Sequence, residues 1–315
     1  MSKNLRIAVI GAVGSTETTL RTLIEIGRVP LMLLTLPVEM RRRHSDFVEL
    51  GELAESAGIQ VRWVQDVNDL SVLGYLSELS LDLLVVVGWS RICGPELRGM
   101  ARLGSLGYHP TLLPIMRGRA ALAWTILLDA RRTGGTLFWL DDGMDTGDIA
   151  AQAGFDLSGD ENVQQLMDLQ METLATMIPP LFAQLSSGER PARPQKNNDA
   201  TYTAVRRPAD GQIDWNLPAD QIERLVRAVT RPYPGAFTAY GNRTLRIWCS
   251  RVVHYPNWHA QPGQIFTHDV GGVPVVRCGN RTDLALLEYQ VESTEQHEVG
   301  YQAAISGQPR LGISR

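Results

Sequence analysis

The chain has 315 residues, 44% of them hydrophobic, and a formal net charge of −4. That is long enough for two domains with a buried core each. It offers no general attraction to nucleic acid and contains no run of about 18 apolar residues that would span a membrane. Cys93, Cys249 and Cys278 are isolated and odd in number, which argues against a disulfide framework or a zinc site and for a reducing, cytoplasmic setting.

Met1–Arg6 carries no secretion-signal pattern and leads directly into an apolar strand, Leu5–Ile10. The strand ends in Gly11-Ala12-Val13-Gly14-Ser15-Thr16, and a helix follows over Glu17–Gly27 with Leu20, Leu23 and Ile24 on one face. The glycines fit neither G-x-G-x-x-G nor a Gly-Lys-Ser/Thr ending, so a tight strand-to-helix turn accounts for them. Strands at Leu31–Leu36, Gln60–Val64 and Leu81–Val87 alternate with helices at Asp46–Gly58 and Leu70–Leu79. Arg41-Arg42-Arg43 is the only dense basic run; it suits a solvated loop or helix start, or contact with a substrate phosphate. This alternation implies a Rossmann-like parallel sheet up to about residue 150. Loops at the carboxyl ends of its strands then share one crevice, and Gly88-Trp89-Ser90-Arg91 is one such loop.

Residues 101–148 hold His109, then the rigid run Leu112-Leu113-Pro114, a helical run Ala120–Ala130 and a strand-like run Thr136–Leu140. The acidic turn Asp141-Asp142-Gly143-Met144-Asp145-Thr146-Gly147-Asp148 follows. With both loops at the carboxyl ends of neighbouring parallel strands, the histidine and an acid face each other, as proton transfer requires. Asn162–Gln184 reads as a long helix disturbed at Pro179-Pro180, and the polar residues 186–207 as a linker. From residue 208 a second module begins with Ala209-Asp210-Gly211-Gln212-Ile213-Asp214-Trp215 and an amphipathic helix, Pro218–Val229. Five short strands follow at Thr238–Tyr240, Leu245–Val252, Gly263–Phe266, Val273–Arg277 and Leu284–Val291, the pattern of a small OB-like β-barrel. The reading is therefore an α/β chain: residues 1–185 as the Rossmann-like domain and 208–315 as the barrel.

Gly107-Tyr108-His109-Pro110-Thr111-Leu112-Leu113-Pro114, then Arg117-Gly118, then Asp141-x-Gly143-x-Asp145-Thr146-Gly147 resemble the signature of the folate-dependent formyltransferases. The family pattern is Asn-x-His-x-Ser-Leu-Leu-Pro, Arg-Gly and Asp-x-Gly-x-Asp-Thr-Gly. The D-G-x-I-D-W element and Arg231-Pro232-Tyr233-Pro234-Gly235-Ala236-Phe237 are similar to that family's C-terminal domain. The resemblance implies His109 and Asp145 as catalytic residues and 10-formyltetrahydrofolate as formyl donor. It also implies that the loop Gly88, Trp89 and Ser90, with Asp142, binds the folate. Trp89 suits either flanking a flat pterin or ordinary packing, and Asp141, Asp142 and Asp148 also suit turn and capping roles. Gly107 departs from the pattern, since asparagine belongs there.

An amine attacking a formyl carbon loses a proton, the leaving nitrogen gains one, and an oxyanion develops between. An imidazole held by a carboxylate serves both ends. Gly107 has no side chain to donate to the oxyanion, and loss of one such donor typically costs about 10²–10³ in turnover. Three accounts stay open. Another donor stands in (Ser90, Ser105, Thr111, a backbone N–H or water), the substrate nitrogen is more nucleophilic, or the chain is a weak catalyst that binds folate.

Arg117-Gly118-Arg119-Ala120 and Arg206-Arg207-Pro208 are similar to segments of enzymes that formylate UDP-4-amino-4-deoxyarabinose, and arginine forks suit a diphosphate. From residue 208 onward there are ten Arg, no Lys and ten Asp plus Glu, whereas a tRNA reader presents basic surface. The expectation is a cytoplasmic N-formyltransferase for a nucleotide-linked amino sugar or similar small amine, with Arg117, Gly118, Arg119, Arg206 and Arg207 toward that substrate. Methionyl-tRNA formyltransferase and formyl-tetrahydrofolate hydrolase are the alternatives; self-association into a homo-oligomer stays open.

Overall fold

The computed structural model describes residues 4–43, 45–269 and 272–292. The unbroken apolar runs become the centre of a seven-stranded sheet. Its strands are β1 (Ile7–Ile10), β2 (Met32–Thr35), β3 (Gln60–Trp63), β4 (Leu83–Val86) and β5 (Ser105–His109). After the two-residue β6 (Arg117–Gly118) come β7 (Arg132–Trp139) and β8 (Ile149–Asp156), and the order across the sheet is β3-β2-β1-β4-β5-β7-β8.

Successive side chains of a strand point to opposite faces. Ile7, Val9, Leu33, Leu83 and Val85 therefore enter one core with Leu20, Leu23, Leu174, Ile178 and Phe182. Ala8, Ile10, Met32, Leu34, Leu84 and Val86 enter another with Leu76, Leu81 and Leu97. Both faces are covered, which is why these strands read as continuous rather than alternating.

The parallel expectation holds for β3, β2, β1, β4 and β5 and ends there: β7 pairs antiparallel with β5, and β8 antiparallel with β7. β7 and β8 are consecutive, joined only by residues 140–148 with no helix between, and a direct connection of that kind makes an antiparallel pair. Strand β8 has no counterpart among the expected elements.

The described residues divide into two compact units: those within 4–121, 132–156 and 167–204, and those within 122–131, 157–166 and 205–292. The stretch read as a linker thus contributes to the first unit, where β9 (Tyr202–Thr203) pairs parallel with β6. The second unit holds the expected five strands: β10 (Ala236–Tyr240), β11 (Arg243–Val253), β12 (Ile265–Asp269), β13 (Val273–Arg277) and β14 (Asp283–Glu292). They form one antiparallel sheet ordered β10-β11-β14-β13-β12. Among the described residues β10 and β12 are its edges, so the barrel expectation is met as a curled half-barrel. Helix Ala219–Val229 buries Ile222, Val226 and Val229 and packs on this sheet, while Arg277 and Asp283 form a buried ion pair of 2.7 Å. Among the described residues no helix is long and apolar enough to cross a membrane, and no cluster of three or more His, Cys, Asp or Glu is arranged to hold a metal ion.

Candidate active site

His109 is the last residue of β5 and is buried, with 5% of its surface exposed. Its neighbour Tyr108 points the other way, donating to Gln170 Oε1 at 2.6 Å. Gln170 is fully buried and donates from Nε2 to Pro110 O at 3.1 Å and Gly134 O at 3.0 Å. This fixes the strand end that aims His109.

The run after it is held by β7 and β8. Thr136 Oγ1 donates to Thr111 O at 2.6 Å and accepts from Leu113 N at 3.2 Å. Gln152 Nε2 donates to Leu113 O at 2.9 Å. The loop thereby returns Met116 O to within 2.7 Å of His109 Nε2.

A carbonyl oxygen has no proton to give, so Nε2 carries the hydrogen in the neutral ring. That leaves Nδ1 bare, 3.6 Å from Asp145 Oδ2. This is too long for a direct hydrogen bond, and each group is an acceptor. The pair therefore presents two acceptors side by side, a site for a donor such as a protonated ring nitrogen, a water or an amine.

Asp145 reaches this place by a route that parallel strands would not give. β7 runs against β5, so Trp139 at its end pairs with Leu106 rather than with His109. Asp145 lies six residues beyond Trp139 and comes back to the histidine. Its Oδ2 accepts from Gly118 N at 2.8 Å, and its backbone is left-handed at φ +55°. Within the same loop Asp141 Oδ1 accepts from Gly143 N at 3.1 Å and Thr146 Oγ1 at 2.7 Å, which is a turn role.

Gly107 faces Phe138 across the β5–β7 ladder. A β-carbon built on it would lie 2.7 Å from Leu140 Cδ2 and 3.1 Å from Phe138 Cε1. Hydrocarbon occupies the space an asparagine would need. Two of the stand-in donors are already used: Ser105 Oγ donates to Arg98 O at 3.0 Å and Thr111 Oγ1 to Ile115 O at 2.7 Å. Each hydroxyl has one proton, so neither has one left for an oxyanion.

Gly88, Trp89 and Ser90, expected to line the folate, lie beyond β4, beside β1, where the strand order reverses. Gly88 has φ +72°, and a β-carbon there would meet Val13 Cγ2 at 2.2 Å, so only glycine lets the two loops approach. Trp89 packs into the second core, and its indole N–H is buried without a partner among the described residues. Ser90 is exposed and accepts through its carbonyl from Arg119 Nη1 at 2.7 Å. Asp142 is exposed and paired with Arg98.

The arginines separate. Arg117 is 1% exposed, and its guanidinium donates to Gln195 Oε1, Asn197 Oδ1 and the Tyr202 hydroxyl. Gly118 holds Asp145, while Arg119 is exposed. In the second unit Arg206 lies 5.3 Å over the Trp124 ring and donates to Asp210 O, and Arg207 is exposed. Arg41 is exposed within a short 3-10 helix, Val38–Arg43; the side chains of Arg42 and Arg43 lie outside the described residues. Sequence reasoning missed Met116 as a carbonyl, Thr136, Gln152 and above all Gln195; none sits in a motif, so no local signal marks them.

Residues 52–179 match the family described as formyl transferase, and residues 206–300 match the formyl transferase C-terminal domain. The chain is 30% identical over 296 residues to methionyl-tRNA formyltransferase of Caldanaerobacter subterraneus subsp. tengcongensis, covering 93% of this chain and 94% of that one. In fold it is similar to HypX from Aquifex aeolicus, solved with tetrahydrofolic acid (TM-score 0.64, 16% identity, 93% of this chain and 45% of that one). It is also similar to the N-formyltransferase from Helicobacter canadensis, solved with folinic acid and dTDP-3-aminofucose (TM-score 0.61, 15% identity, 90% and 98%). With both family regions in order and this similarity running nearly end to end, the chain belongs to the folate-dependent formyltransferase family.

Proposed function

We propose that this chain moves a formyl group from 10-formyltetrahydrofolate to the primary amine of a nucleotide-linked amino sugar or similar small acceptor. The observation that carries the chemistry is the pairing of His109 Nδ1 with Asp145 Oδ2 at 3.6 Å, two acceptors with no donor of their own between them. An incoming amine supplies that donor. His109 Nδ1 takes its proton, Asp145 stabilises the imidazolium, and the same nitrogen returns the proton to the leaving nitrogen. Met116 O keeps the other ring nitrogen protonated throughout.

The bound folate supplies the formyl carbon. Gly88, Trp89, Ser90 and Asp142 would hold it. The buried indole N–H of Trp89, without a partner among the described residues, and the close-set turn at Gly88 fit a ligand at this end of the sheet. With Gly107 apolar-walled and Ser105 and Thr111 committed, Ser90, a backbone N–H or a water remains to stabilise the oxyanion. Three free cysteines suit a cytoplasmic setting.

For the acceptor, ten Arg against ten acidic residues and no Lys from residue 208 onward support a small molecule over a tRNA. Arg119, exposed in the first unit, has surface to offer it; Arg117 is already bonded within the chain. Methionyl-tRNA is the second reading, favoured by 30% identity over 94% of a methionyl-tRNA formyltransferase. Incubation with labelled 10-formyltetrahydrofolate and either dTDP-3-aminofucose or charged methionyl-tRNA decides between them. Label on the sugar is expected; label on the tRNA alone would sink the small-molecule reading. Donor loss without acceptor would point to a hydrolase.

A further inference from the structure

We propose that Gln195 is the positioning residue that sets Asp145 against His109. It lies in the polar stretch expected to be a linker, 50 residues from Asp145. Its amide orientation is forced by its neighbours: Nε2 donates to two carbonyls, Asp145 O at 2.9 Å and Gly147 O at 2.7 Å. Oε1 accepts from Arg117 Nη2 at 2.7 Å and Nε at 3.1 Å.

The residue after Arg117, Gly118, donates to the Asp145 carboxylate. A closed ring results, running from the Asp145 side chain through Gly118, Arg117 and Gln195 to the Asp145 backbone. The ring also braces a left-handed backbone at Asp145, a conformation that costs a non-glycine residue stability.

The rest of this stretch, residues 191–203, forms a strap that fixes Gln195. Arg193 exchanges both backbone hydrogen bonds with Ile149, each 2.9 Å. Trp139 Nε1 donates to Pro191 O at 2.7 Å. Thr201 Oγ1 accepts from Met116 N at 2.8 Å, the residue whose carbonyl meets His109. Gly118 is itself set close to the strap, since a β-carbon on it would lie 2.5 Å from Thr203 O. The strap thus touches the supports of both members of the pair.

This inference rests on His109 and Asp145 acting together, and the experiment separates the two. Gln195→Glu keeps an acceptor for Arg117 but turns an oxygen toward two carbonyl oxygens. Its crystal structure is expected to show the Asp145 carboxylate moved off Gly118 N. With 10-formyltetrahydrofolate as donor and dTDP-3-aminofucose or methionyl-tRNA as acceptor, kcat is expected to fall about 10²-fold with the donor KM little changed, because a misplacement of about 1 Å costs that much. Gln195→Ala, measured the same way, serves if the charged variant does not fold. An Asp145 geometry identical to the parent's, or parent-like kcat while Asp145→Asn is inactive, overturns the positioning role alone. Full activity of Asp145→Asn would instead overturn the pairing it rests on.

Discussion

Phe138 flanks the place where a side chain on Gly107 would go: the two are register partners in β5 and β7, and the ring comes within 3.1 Å of a β-carbon built on the glycine, with Leu140 Cδ2 closer still at 2.7 Å. Glycine here goes with a rebuilt wall, Phe138 and Leu140, and not with an empty socket. Gly107→Asn alone is therefore expected to destabilise by about 1–3 kcal/mol, the usual cost of overpacking, without raising kcat. Gly107→Asn combined with Leu140→Ala is expected to exceed Leu140→Ala alone at least tenfold in kcat, on the order of what one oxyanion donor supplies. Equal rates for those two variants would show that the wall is not what the missing donor depends on.

His109→Ala removes the proposed proton carrier and is expected to lower kcat by about 10²–10⁴. Asp145→Asn keeps an oxygen for Gly118 N and should preserve the loop, yet it removes the charge beside Nδ1 and is expected to fall in the same range. Melting temperatures within a few degrees of the parent would assign both losses to chemistry.

Arg277 and Asp283 pair at 2.7 Å with side chains 4% and 0% exposed. Truncating Asp283 to Ala strands a buried guanidinium, and urea unfolding of the second unit should show a loss of about 3–5 kcal/mol. Glu288→Ala breaks an exposed pair with Arg231, 56% and 48% exposed, and should cost under about 1 kcal/mol. Comparable losses at the two sites would contradict the burial argument.

Burial pushes the thiol of Cys93 up to about 11 and that of Cys278 up to about 12. Cys249 is exposed, yet burial of its sulfur and the nearby Glu288 also raise its thiol. A raised thiol holds less thiolate at a given pH, and thiolate is the nucleophile. Titration with a thiol reagent should label one cysteine per folded chain, slowly at pH 8 and faster as pH rises, and all three after denaturation. Three fast thiols in the native protein would contradict this.

The amino-acid sequence alone determined the buried strands β1, β2 and β4, the five strands after residue 208 and the nomination of His109 and Asp145. Those features are written in local periodicity and short motifs, because a strand buried on both faces must be apolar at every position. Only the tertiary structure decided that β7 turns antiparallel, that Asp145 comes back to His109 from beyond Trp139, that Arg117 is enclosed, and that hydrocarbon fills the place beside Gly107. It alone brought Gln195 to Asp145 and Tyr202 to Arg117, partners 50 and 85 residues apart. A hydrogen bond across such a distance depends on where two backbones come to rest, and neither residue carries any mark of the other in its own neighbourhood.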